Sequence, residues 1–349
     1  MQIVVVLSDA PPISRRDGAS RLVRFAETFA ELGHDVTVFC SMWWRTRDDV
    51  VERNGVEYEA LAVPGAMGTF LGRVTTRLAG IRPDAVLASP TPPIVVSTAR
   101  LGAALSRAPL VVDWFGDEPA DTEGIPGPLF RFPATNVTPS ELARTALRER
   151  GATETNTVVV PQSIDFSLVE STDPGRPVDF AYARRLDADA NLESLLLALA
   201  ERREAEWTAT VVGDGPERFG YERQAEHLRI DDRVTFLGNV DRQRRIELYR
   251  GAHAFVQTAR RERFAEELLW ALACGCVGVV EYQSRSSAHE LVERRQRGIR
   301  VTDSEDLTRS LSDAQALSFS DIDGEYREFD HEAVAERYLD VFRRNGVEG

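Results

Sequence analysis

The stretch QIVVVLSDAPPISRRDGASRLVRFAETFAELGHDVTVFC, residues 2–40, decides the fold. Gln2 to Leu7 is a continuous apolar run, the mark of a strand buried on both faces. Arg21 to Leu32 repeats its apolar residues at helical spacing, Gly33 stops the helix, and Asp35 to Cys40 is apolar again. Strand, helix and strand in that order predict a βαβ unit and a parallel sheet.

The alternation continues outward from this unit. Ala85 to Ala88 and Leu110 to Val112 are further strand candidates, with a helical stretch at Ser97 to Ser106 between them. The pattern restarts at Thr157 to Pro161 and continues with strands at Asp179 to Ala183, Ala209 to Gly213, Val234 to Leu237 and Ala254 to Gln257. Helices are expected at Asn191 to Arg202 and after Pro216, and Ser167 to Arg176 is polar enough to predict a loop. The expected fold class is α/β, with two Rossmann-like, doubly wound domains facing each other across a cleft. Residues 1–160 form the first domain and 161–330 the second. The closing segment 331–349 holds an amphipathic helix, Glu332 to Arg344, that crosses back to the first. A length of 349 residues agrees with two domains.

Charge narrows the partners. The chain carries a formal net charge of −14, and all 42 basic residues are arginine. No basic stripe is available to neutralise nucleic-acid phosphates, so no nucleic-acid partner is expected. Excess carboxylate without lysine suggests an extreme halophile, whose salt screens the self-repulsion. The first apolar run is too short and lacks the basic leader of a signal peptide, and the three cysteines are too few for a disulfide framework. A cytoplasmic protein is the expectation. Cys274-Gly275-Cys276 has no second ligand pair at zinc spacing, so no metal is expected either.

In an open parallel sheet, ligands bind outside the carboxyl ends of the strands. The loop from Asp9 to Gly18 leads from the first strand into a helix and could present backbone N–H groups to a phosphate. Arg184-Arg185 follows the strand ending at Ala183, where a guanidinium could clamp a diphosphate or merely pair with Asp187 or Asp189. Gly213-Asp214-Gly215-Pro216 lacks the third glycine of a dinucleotide fingerprint and reads as a tight turn with proline opening a helix. Glu262 stands just before a buried helix. It could accept hydrogen bonds from sugar hydroxyls, and the first-turn N–H groups near Phe264 to Glu266 could bind phosphate oxygens.

As an ordered set these motifs resemble glycosyltransferase family 4, the group-1 glycosyltransferases. The resemblance rests on Gly18, Gly33-His34-Asp35-Val36, Val158 to Asp165, Arg185-Leu186 and Val212 to Arg218. It continues through Asp232 to Val240, Leu272 to Gly275 and Glu290-Leu291-Val292. It implies the GT-B fold and metal-independent transfer, with retained configuration, from a nucleotide-sugar donor to a glycan or lipid-linked glycan. No cofactor beyond the donor substrate is implied. Arg185 would hold the diphosphate, Asn239 and Val240 would border the base, and Glu262 would bind donor-sugar hydroxyls. The backbone at Phe264, Ala265 and Glu266 would touch sugar and phosphate, and Gly18 would close the first-domain loop over the phosphates. The catalytic pair would be Glu262 and Arg185.

Several positions depart from the family pattern. A lysine expected five residues after Arg185 is Ala190, and a ribose-gripping glutamate expected eight residues after Glu262 is Trp270, for which Glu266 or Glu267 could substitute. On the acceptor side, Trp114 to Asp117 replaces the usual motif, leaving Asp113, Asp117 and Glu118. These departures motivate one alternative, a non-catalytic paralogue that binds nucleotide sugar, glycan or a partner transferase. A soluble transferase making an osmolyte glycoside is another. Finally, Ala66 to Arg82 contains Arg73, Arg77 and Arg82 and no acid, with Met67, Phe70, Leu71, Val74 and Leu78 at helical spacing. Such a helix either docks peripherally on an anionic membrane or buries its apolar face in the core.

Overall fold

The computed structural model describes every residue except 11–16, 47, 117–129, 132 and 348–349. Its contacts divide the chain into two units, Met1–Gln162 with His331–Gly349, and Ser163–Asp330.

The first unit holds strands β1 (Gln2–Val6), β2 (Asp35–Ser41), β3 (Val50–Arg53), β4 (Val56–Ala62), β5 (Ala85–Ala88), β6 (Leu110–Asp113), β7 (Thr135–Thr138) and β8 (Thr157–Val159). They form one sheet in the order β3-β4-β2-β1-β5-β6-β7-β8, parallel except for β3 against β4. Its helices are α1 (Asp17–Glu31), α2 (Met67–Ile81), α3 (Ile94–Ser106) and α4 (Glu141–Glu149). Successive residues of β1 point to opposite faces. Ile3 and Val5 pack with Phe25 and Phe29 of α1, while Val4 and Val6 pack with Phe70, Val74 and Leu78 of α2. The antiparallel pair β3–β4 turns on Asn54 and Gly55, both at positive φ (51° and 73°), the backbone a two-residue hairpin requires.

Burial of Phe70, Val74 and Leu78 decides between the two readings of residues 66–82. The apolar side of α2 faces the core, so it is not the side that a bilayer could meet.

A buried ionic cluster ties distant segments of this unit together. Arg21 of α1 is fully buried; its Nε donates to Asp113 Oδ2 at 2.8 Å. Nη1 donates to the carbonyl of Pro161 at 2.7 Å, and Nη2 to the carbonyl of Val160 at 2.6 Å and to the Tyr338 hydroxyl at 2.7 Å. The Tyr338 hydroxyl in turn donates to Asp113 Oδ2 at 2.7 Å. Burial pulls the Arg21 pKa down, but Asp113 and Tyr338 outweigh it and the net shift is upward.

The second unit holds helices α5 (Phe166–Ser171), α6 (Leu192–Glu201), α7 (Arg218–Leu228), α8 (Arg242–Gly251), α9 (Glu266–Ala273) and α10 (Ser304–Ala316). Helix α11 (His331–Arg344) belongs to the first unit, where Tyr338, Leu339 and Phe342 pack in the cluster around Phe25 and Phe29. The strands of the second unit are β9 (Val178–Ala183), β10 (Ala209–Val212), β11 (Val234–Gly238), β12 (Ala252–Gln257), β14 (Val277–Glu281) and β16 (Gly298–Val301), with a separate short pair, β13 (Arg261–Glu262) and β15 (Arg285–Ser286). The main sheet is parallel, in the order β11-β10-β9-β12-β14-β16.

Side-chain caps fix several helix starts. Asp241 accepts from the Arg244 N–H at 2.8 Å and Asp165 from the Leu168 N–H at 2.9 Å. The second cap explains why Phe166–Ser171 is helical where a polar loop is expected. Once capped, the turn buries Phe166 and Val169.

Candidate functional site

Strand order locates the site. From β9 the chain runs outward to β10 and β11, then returns to place β12 on the other side of β9. The carboxyl ends of β9 and β12 therefore flank a topological switch point, where an open α/β sheet leaves a crevice. Arg184 and Arg185 follow β9, and Thr258 to Glu262 follow β12.

Arg184 bridges these two loops. Its Nη1 donates to the Arg261 carbonyl at 2.9 Å and lies 3.2 Å from Glu262 Oε2, while Nη2 is 3.8 Å from Asp187. Its Nε is buried without a partner among the described residues. Arg185, the next residue, is held far less. Its side chain is 72% exposed, and its one ion pair among the described residues is with Asp187, at 3.8 Å. Of the two arginines, Arg184 is fixed by protein groups and Arg185 is open to a ligand.

Glu262 is held by backbone on both sides. It sits in β13, paired with Ser286 of β15, and its carbonyl accepts from the Ser287 N–H at 2.9 Å. The Ser287 hydroxyl donates to the Arg263 carbonyl at 2.7 Å, which pins the approach to α9. That helix begins at Ala265, which has no side-chain oxygen to cap it. The Glu266 N–H donates to the Phe264 carbonyl at 3.0 Å, and the helix dipole places partial positive charge at this end.

A second brace holds the two loops. Asn191, at φ 54°, donates from Nδ2 to the Thr258 carbonyl at 2.9 Å and to Glu281 at 3.2 Å, and Thr258 Oγ1 donates back to the Asn191 carbonyl at 2.8 Å. Burial raises the pKa of Glu281, although nearby hydrogen bonds oppose it. Ala190 is wholly buried, so the position contributes packing and no charge. Close approach also explains the glycines after β10. A Cβ on Gly213 would stand 1.8 Å from the Arg184 carbonyl oxygen, and one on Gly215 2.2 Å from that of Leu186.

The start of α9 carries an ionic cluster. Glu267 Oε1 accepts from Arg242 at 3.1 Å and Arg245 at 2.5 Å, and Oε2 accepts from the Tyr249 hydroxyl at 2.5 Å. Glu266 Oε1 accepts from Arg242 at 2.9 Å and from the Trp270 indole at 3.3 Å, and the Arg242 guanidinium lies over the Trp270 ring at 4.9 Å. Burial and the neighbouring Glu267 hold the Tyr249 phenol well above its usual range. Both Glu267 oxygens thus serve this cluster. Arg245 Nε donates to the Val240 carbonyl at 3.1 Å, so the cluster adjoins the loop after β11, where Asn239 is exposed.

Within the second unit, then, Arg184 and Glu262 meet at the switch point, and Arg185 stands next to Arg184 at the end of β9. Phe264 and Ala265 are buried at the start of α9, beside Glu266 and Glu267. Gly18 lies in the first turn of α1, in the other unit. Asp113 was expected as a polar group near an acceptor. It is instead buried and bound to Arg21 and Tyr338. Asp117 and Glu118 lie outside the described residues. Sequence reasoning missed the inward turn of Arg184 and the Arg242–Arg245–Glu267 cluster. A groove of about 450 Å³ lined by Pro174, Asp179, His253 and Phe319 opens at the amino ends of β9 and β12, the opposite edge from these groups. Among the described residues no cluster of three or more metal-binding side chains occurs, and no helix is long and apolar enough to cross a membrane.

Residues 164–316 match the family profile described as glycosyl transferases group 1, and residues 18–162 match that of the glycosyl transferase 4-like domain. No curated protein matches the chain by sequence. Several solved structures are similar over almost its whole length. One is HepE of Anabaena in complex with UDP, 16% identical over 99% of this chain and 100% of that one, with a TM-score of 0.73. A lipopolysaccharide outer core galactosyltransferase, WaaB, is 17% identical over 99% and 100%, with a TM-score of 0.74. A glycosyltransferase from Rickettsia africae is 14% identical over 98% of each chain, with a TM-score of 0.75. At such identities the likeness shows the fold, which is GT-B.

Proposed function

Because the chain belongs to the group 1 glycosyl transferases, we propose that it moves a sugar from a nucleotide-sugar donor to a glycan or lipid-linked glycan, retaining the anomeric configuration and needing no metal. Sugar transfer itself follows from the family. Retention and the acceptor class rest on the resemblance to that family, and independence of metal is supported by one observation: Arg185, the Arg184–Glu262 pair and the start of α9, which has no side-chain cap, all lie at the carboxyl edge of the second sheet.

The chemistry follows from charge. As the bond between the anomeric carbon and the phosphate oxygen breaks, negative charge grows on the departing diphosphate. Arg185 and the α9 N–H groups supply the opposing positive charge that a metal would otherwise give. Glu262, fixed by the β13–β15 ladder and oriented by Arg184, accepts hydrogen bonds from donor-sugar hydroxyls.

NMR of the product formed from an α-linked donor tests the stereochemistry. The account expects an α-linked product, and turnover unchanged within about twofold in excess EDTA. A β-linked product, or activity lost to EDTA and restored by Mg²⁺, would overturn it.

A further inference from the structure

Helices α2 and α3 lie side by side on one face of the first sheet. Gly102 of α3 fits against Leu78 and Thr75, and Thr75 Oγ1 donates to the Thr98 carbonyl at 3.2 Å. With the buried sides of both helices fixed, the outward surface follows from the helical period. On α3 it carries Ile94, Leu101 and Leu105, which are 49%, 56% and 59% exposed. On α2 it carries Gly68, Gly72, Thr76 and Gly80, small residues that keep the surface flat. Arginines flank this strip, Arg73 and Arg77 on the far side of α2, Arg100 and Arg107 on α3.

The charge of the region is unlike that of the chain. Between Glu59 and Asp113 the single acid is Asp84, against five arginines, in a protein of net charge −14. Asp84 accepts from the Gln2 N–H at 2.7 Å, and Glu59 is held by Arg77 at 2.6 Å. Arg82, Arg100 and Arg107 have no ion-pair partner among the described residues.

We propose that this two-helix face docks on an anionic lipid bilayer, with Ile94, Leu101 and Leu105 entering the headgroup boundary and the arginines meeting lipid phosphates. Charge complementarity points to that occupant, since arginines beside isolated aliphatic side chains suit shallow interfacial binding. The cores of protein interfaces are instead enriched in aromatic residues, and this face exposes none. The inserting residues belong to α3, not to the α2 stripe that the sequence singles out. The proposal stands apart from the sugar chemistry, because binding is read without turnover.

Co-sedimentation with vesicles of phosphatidylglycerol and phosphatidylcholine tests it, at a salt concentration where circular dichroism shows every variant folded. Wild-type protein should bind these vesicles and leave pure phosphatidylcholine vesicles largely unbound. Leu101→Gln with Leu105→Gln, and separately Arg100→Gln with Arg107→Gln, should each lower partitioning by about tenfold or more. No binding by the wild type, or equal binding by both variants, overturns the proposal. So does a dimer in light scattering that Leu101→Gln with Leu105→Gln dissolves, which would assign the face to a second copy of the chain.

Discussion

Replacing Glu262 with glutamine is expected to lower kcat/KM by roughly two to three orders of magnitude while leaving the thermal transition in place. The side chain is only partly buried, and its backbone contacts with Ser286 and Ser287 do not depend on the carboxylate. Folding therefore has little to lose. What disappears is a charged acceptor aimed at the switch point, together with the counter-charge that holds Arg184. Initial rates across donor concentrations separate two roles. If Glu262 grips the donor equally in ground and transition states, KM rises alone; if its bonds tighten as the sugar bond breaks, kcat falls. Wild-type kinetics in the variant would show that the carboxylate only positions Arg184.

The second large effect concerns stability. Arg21→Met should destabilise the first unit by about 3–5 kcal/mol, since it leaves the Asp113 carboxylate buried without its cation. Oδ1 of Asp113 already lacks a partner among the described residues, so the Tyr338 hydroxyl would be the remaining donor to that group. The carbonyls of Val160 and Pro161, where the chain leaves the first unit, lose their donor as well. For a unit of this size the loss corresponds to a fall of roughly 6–20 °C in its melting temperature. Replacing both charges, Arg21→Met with Asp113→Leu, should recover part of the loss, because no bare buried charge remains. A shift below about 1 kcal/mol in the single variant, read from urea unfolding, would contradict this account of the cluster.

Local patterns made much of the fold legible. The run Gln2 to Leu7 is apolar throughout because β1 sends Ile3 and Val5 to one core and Val4 and Val6 to another. The helical spacing of Phe25 and Phe29 has the same cause on α1. Asn54-Gly55 is a local hairpin signal whose residue types match the positive φ of the turn. The strand at Val277 to Val280 is not legible in the same way, because a short apolar run after Cys-Gly-Cys carries no period of its own.

The site was less legible, for a different reason. Which of Arg184 and Arg185 meets Glu262 depends on how the end of β9 meets a loop 77 residues away. The ladder that fixes Glu262 pairs two residues with two others, too few for any periodicity. The Arg21–Asp113–Tyr338 cluster joins positions 92 and 225 residues apart, and only tertiary packing brings them together. A sequence marks residue types at strand ends, whereas their pairing is decided across the sheet.

The central claim is that the carboxyl edge of the second sheet binds a nucleoside diphosphate through Arg185 and the start of α9. Calorimetric titration of the wild-type protein and of Arg185→Ala with a panel of nucleoside diphosphates tests it most directly. The account predicts saturable one-to-one binding of at least one of them, weakened by about 10–100-fold in the variant, as expected for losing a charge-assisted contact to phosphate. Absence of binding by the wild type, or equal affinity in Arg185→Ala, would contradict it.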